Sequence, residues 1–208
     1  MGGAALPYDA EVEYLQTTGT QYIDTGVKPT QDTDFYAEFA VADSTVNTTF
    51  FLVWDSTGNV NDKSYGLSNI PRSNTFQFRR WGRIWISSGV MQANTKYTYR
   101  SEANKIYIDD VLKGTGSIAT FSIDGNLILF AENDVPHSYR PNKGITPYPY
   151  IICYAFRLYN SGVLIRDFIP VRKGTVGYMY DRVSGQLFGN AGTGSFILGP
   201  DIMGGVNP

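Results

Sequence analysis

The chain has 208 residues, a formal net charge of −2 and 17% charged residues, below the roughly 25% of an average globular domain. Its 15 Tyr, 12 Phe and 22 Gly oppose disorder, which goes with few aromatics and high net charge. The slightly acidic balance argues against a general nucleic-acid binder, which carries a basic surplus, and no window supplies the roughly 18 apolar residues of a membrane span.

The length suits one sizeable β-sandwich or barrel, and no linker divides it. Residues 1–10 and 199–208 are rich in Gly or Pro and lack periodicity. They read as tails, either packed back on a domain spanning 11–198 or held by neighbouring subunits. Val12–Leu15 and Tyr22–Thr25 open the body. In 35–42, Phe35, Ala37, Phe39 and Val41 alternate with Tyr36, Glu38 and Ala40, the pattern of a strand with one buried face. Phe50–Trp54 is apolar throughout, which predicts burial on both sides and a core position for Trp54.

Further strands are predicted over 75–87, 96–101, 105–108, 125–132 and 151–159. Asp109-Asp110 predicts a tight hairpin turn. Asn160-Ser161-Gly162 marks another, between the alternating 154–159 and the run opened by Val163, Leu164 and Ile165. No segment carries a helical period. The fold class is therefore all-β, a two-sheet antiparallel sandwich or jelly roll. Cys153 is the sole cysteine, so there is no intrachain disulfide, and it reads as a small buried hydrophobe.

Four blocks in fixed order carry a resemblance: VEYLQTTGTQYIDTG (12–26), LILFAEN (127–133), YAFRLYNSGVLIRDFIPVR (154–172) and GYMYDRVSGQLFGNAGTGSF (177–196). Together they resemble the LamG-like, concanavalin A-like jelly-roll domains of gut bacteria and their phages. The resemblance implies two curved antiparallel sheets. It also implies a binding or structural module, used for glycan or receptor recognition or as a virion component. Within those blocks Arg157, Arg166, Asp167, Arg172, Asp181 and Arg182 are expected to be structural.

The N-terminus lacks a basic n-region and a long apolar h-region, so a signal peptide is not expected. This favours a phage virion protein, made in the host cytoplasm, over a secreted lectin. The expected role is a non-enzymatic capsid decoration, fibre or tail protein. Its partners would be other virion subunits through the tails, with a cell-surface glycan as a second partner. A homo-oligomer such as a closed trimer is compatible on symmetry grounds. The alternative is a carbohydrate-binding module of a bacterial cell-surface protein.

Catalysis is disfavoured. A glycosidase needs paired carboxylates around the scissile bond, and the Glu-x-Asp-x-x-Glu strand of sandwich-fold glucanases is missing. Glu11 and Glu13 read as a solvated edge. His137 has only Ser138 and Asp134 as local neighbours and reads as a surface loop residue. No cofactor is expected. One Cys and one His cannot build a zinc site. Calcium has only scattered loop donors, Asp55, Asp62, Asp124 and Asp134, each more simply a turn residue.

The sharpest surface feature is Phe76–Ile86. If it is one strand, period two puts Phe76, Phe78, Ile84 and Ile86 on one face. Gln77, Arg79, Trp81, Arg83 and Trp85 then share the other. Trp and Arg are enriched at binding hot spots, and a flat indole stacks on sugar rings. Arg79, Trp81, Arg83 and Trp85 are thus the candidate ligand-binding set. In the competing reading Gly82 breaks the strand and the Trp rings cap the core beneath Arg stems.

Overall fold

A computed structural model describes residues 5–55, 63–71, 75–80, 83–87, 91–117, 119–135 and 144–204. In chain order the strands are β1 (Ala10–Val12), β2 (Leu15–Thr18), β3 (Ile23–Asp24), β4 (Thr33–Val41), β5 (Thr48–Asp55), β6 (Lys63–Ile70) and β7 (Thr75–Arg80). There follow β8 (Arg83–Ser87), β9 (Tyr97–Glu102), β10 (Lys105–Ile108), β11 (Val111–Thr115), β12 (Ile128–Leu129), β13 (Ala131–Asp134) and β14 (Ile145–Pro147). The last are β15 (Pro149–Asn160), β16 (Val163–Lys173), β17 (Val176–Asp181), β18 (Gln186–Phe188), β19 (Ile197–Leu198) and β20 (Asp201–Gly204).

They form two sheets. The first runs β11-β10-β9-β4-β15-β16-β1-β20, with β17, β18, β2 and β19 attached. The second runs β14-β13-β5-β6-β7-β8, with β12 and β3 attached. The all-β sandwich expected from the alternation is what the chain adopts, and there is no α-helix among the described residues.

Alternation decides which residues meet between the sheets. On β4, Phe35, Ala37 and Phe39 are fully buried, and Tyr36 and Glu38 point the other way. Phe39 stacks on Phe50 at 4.8 Å, and Phe51 meets Phe35 and Phe156 at 4.9 Å each. Such offset and edge contacts add to the burial of large rings. Cys153 lies in this core, and burial pushes its thiol well above the usual range.

Two-residue turns pin the register. Asp109 and Asp110 have φ of 48° and 60° between β10 and β11, and Ser161 and Gly162 have 49° and 78° between β15 and β16. Left-handed pairs match the right-handed twist of the strands they join.

At the ends of the domain, the described parts of the expected tails that enter strands pack back on the first sheet. Ala10 pairs with Arg172 on one side and Gly204 on the other, and Val12 pairs with Asp201. Arg172 grips the Asp201 carboxylate through Nε and Nη2, at 2.7 and 2.6 Å. Residues 10 and 201–204 are sheet strands because β16 offers an otherwise open edge. The same pairing corrects the view of Glu11 as an edge residue: its strand has neighbours on both sides.

Candidate functional site

The segment 75–87 is a hairpin rather than one strand. β7 folds back onto β8 with Arg79 opposite Arg83 and Gln77 opposite Trp85. Trp81 lies outside the described residues, as do the side chains of Arg83 and Trp85. Within β7 the faces separate as period two demands. Phe78 and Arg80 turn into the sandwich and are buried, whereas Arg79 is half-buried on the outer face.

The two neighbouring arginines do different work. Arg80 donates to the Ala103 and Thr33 carbonyls and to the Asp34 carboxylate at 2.6 Å. Its guanidinium lies 5.5 Å from the Tyr65 ring centroid. It closes one end of the core. Arg79 instead lies over the Trp54 ring at 5.0 Å and donates to Gln77 Oε1 at 2.9 Å.

Trp54 is therefore not a core residue, contrary to the reading of its apolar run. Val53 takes the inward position with no exposure, and Trp54, the next residue, must point outward. Leu52, on that outer side, is still buried. The run is covered on both sides there, as its composition predicted, and opens at Trp54.

Around Trp54 lies a cleft of about 100 Å³ on the outer face of the second sheet. Its lining includes Thr49, Trp54, Ser68, Arg79, Glu132 and Tyr148. It is smaller than the roughly 300–1,000 Å³ of sites that engulf a drug-sized ligand, so it can seat the edge of a ring. One row across the sheet, Glu132, Leu52, Gly66 and Arg79, sets its width. Gly66 is needed in that row: a Cβ there would come within 2.3 Å of the Phe51 carbonyl oxygen and 2.6 Å of Leu52 Cα. Thr49 and Ser68 share a hydrogen bond across the strands at 3.2 Å.

Glu132 and Tyr148 had no signal in the sequence. They arrive through β13, which runs parallel to β5 with Glu132 beside Leu52, and through the stretch after β14. Tyr148 donates its hydroxyl to Glu132 Oε2 at 3.3 Å. Burial, then the charge of Glu132, raises the Tyr148 pKa, which keeps that hydroxyl a donor. Trp54 Nε1 is buried and finds no hydrogen-bond partner among the described residues. A buried donor without a partner is rare and calls for an explanation.

Other features expected from the sequence are not part of this cleft. Asp124 is exposed and paired with Lys28 at 2.5 Å. That pair flanks a hollow of about 330 Å³ lined also by Pro29, Thr30, Ser122 and Ile123, whose two charges already neutralise each other. Asp55 ends β5, Asp134 is buried in β13, and Asp62 and His137 lie outside the described residues. Among the described residues no three His, Cys, Asp or Glu side chains converge on a common point.

The residues expected to be structural are so placed. Asp181 is fully buried and accepts from the Asp167 N–H at 2.8 Å, the Val183 N–H at 3.1 Å and the Ser184 hydroxyl at 2.7 Å. Asp167 in turn holds Arg157 and Arg182. Arg166 donates to the Thr25 carbonyl at 3.1 Å.

No family model matches the chain, and no curated protein matches it. Among solved structures, the fold is similar to the CBM40 module of a Ruminococcus gnavus IT-sialidase, solved bound to α2,3-sialyllactose. Identity is 11%, the match covers 71% of this chain and 89% of that one, and the TM-score is 0.38.

Proposed function

We propose that this protein is a non-catalytic carbohydrate-binding β-sandwich, with the cleft around Trp54 as its sugar site. The observation that carries the reading is the indole N–H of Trp54, buried and unpartnered beside Arg79, Glu132 and Tyr148. An aromatic ring with a few convergent donors and acceptors is the chemistry a sugar needs. The ring takes the apolar face, and the polar groups take hydroxyls.

The cleft is ill suited to hydrolysis. Among the described residues its lining has one carboxylate, Glu132, and Asp134, on the same strand, is buried. A glycosidase places its two carboxyl groups on either side of the bond it cuts. Mounted on a virion or on a cell surface, such a module would do the same thing, attach its bearer to a glycan.

A printed glycan array with the wild-type protein and Trp54→Ala tests the reading. Binding to a defined glycan set, lost in the variant, is the expected outcome. An array without signal, or signal equal in both proteins, would sink it.

A further inference from the structure

We infer that the cleft selects uncharged sugars through the Glu132 carboxylate and rejects glycans that end in a carboxylate; this rests on the carbohydrate-binding role proposed above. Three observations converge. Glu132 lines the cleft, and its described hydrogen bond is from the Tyr148 hydroxyl to Oε2. A carboxylate accepts from about four lone-pair directions, so Glu132 retains capacity for two adjacent sugar hydroxyls. Such charge-assisted bonds are roughly twice as strong as neutral ones.

Second, the cation that would greet an acidic sugar is already engaged. The Arg79 guanidinium lies over the Trp54 ring and donates to Gln77. A sialic or uronic carboxylate entering here would meet the carboxylate of Glu132. Like charges brought together in a partly dehydrated cleft are strongly disfavoured.

Third, the unpartnered Trp54 N–H needs only an acceptor oxygen. A neutral hydroxyl or ring oxygen supplies one without adding charge. A carboxylate acceptor and an indole donor in one cleft match a vicinal diol, whose two oxygens each donate and accept.

The test is an array that prints neutral oligosaccharides beside their sialylated or uronic counterparts, probed with wild type, Glu132→Gln, Arg79→Gln and Arg83→Gln. Neutral members should bind, with the acidic counterpart at least about tenfold weaker. Glu132→Gln should lose about tenfold on neutral sugars, since it replaces a charged acceptor by a neutral one. Thermal unfolding of each variant separates lost binding from lost folding. Binding confined to acidic glycans, or improved on them and unchanged on neutral ones by Glu132→Gln, would overturn the inference and leave the carbohydrate-binding reading standing. Acidic binding abolished by Arg79→Gln or Arg83→Gln would do the same. No binding to either class would overturn both.

Discussion

The outer faces of the two sheets contrast. On the first sheet a single row crosses from β10 to β16: Tyr107, Arg100, Tyr36, Arg157 and Asp167. Arg100 lies 3.8 Å from the Tyr107 centroid, and Arg157 lies 5.0 Å from that of Tyr36. Asp167 clamps Arg157 and Arg182, and Tyr36 donates to Glu38, which pairs with Lys96. Ring faces are capped by guanidinium groups, and acids are held by bases. The cleft on the second sheet shows small polar residues, an arginine, a half-buried indole with an unused N–H and, among the described residues, one acid. The first face has satisfied its own chemistry. The second leaves donors and acceptors of its own unused.

The contrast can be broken by substitutions on each side. The largest effect is expected at Asp181. Asp181→Ala strands the buried Asp167 N–H and a partly buried one at Val183, and chemical denaturation should show a loss of about 3 kcal/mol with glycan binding intact in the folded fraction. A loss under about 1 kcal/mol would mean that the Asp181 network contributes little. On the other face, Trp54→Ala should cost about 1–2 kcal/mol of stability, because the ring is only half-buried, and should abolish glycan retention. A fully stable variant that still binds would erase the distinction between the faces.

Arg157→Leu should cost about 0.5–1 kcal/mol, the range of a partly exposed ion pair, without changing binding. The smallest effect is a pH slope. Burial first, then the bond to and charge of Glu38, push Tyr36 up to about 12 from the ordinary 10. The unfolded chain releases that proton earlier. The contribution is therefore whole below pH 10 and fades as pH climbs towards 12. Tyr36→Phe should flatten the alkaline limb of the stability curve. An unaltered slope would show that this hydroxyl is not held as described.

The satisfied face was far more legible in sequence than the open one. Alternation on β4 and the Asp109-Asp110 and Ser161-Gly162 turns are local signals, and local signals survive in a sequence. Arg79 was found because it alternates with Phe78. The outward position of Trp54 has no signal, because Phe50–Val53 are all apolar and the run has no period to say where the faces part. A bulge between Thr49 and Phe51 also shifts the register, so that Phe50 and Phe51 both reach the core. Glu132 and Tyr148 lie far along the chain from Trp54 and meet it through a parallel pairing that no local pattern announces. The antiparallel pairing of β1 with β20 joins residues that are also far apart along the chain, and no local pattern announces it either.

That parallel pairing begins just after a left-handed residue. β12 runs antiparallel to β5 at Leu129, and three residues later β13 runs parallel to it at Glu132. The reversal falls at Phe130, a bulky residue with a φ of 68°. Left-handed backbone at a residue of this size costs on the order of 1–3 kcal/mol, and the ring offsets it by packing 5.3 Å from Phe196 with no exposure. The acid in the cleft thus owes its position to a swivel in the interior. A change that lets the swivel relax would carry Glu132 out of the cleft without touching any other residue that lines it.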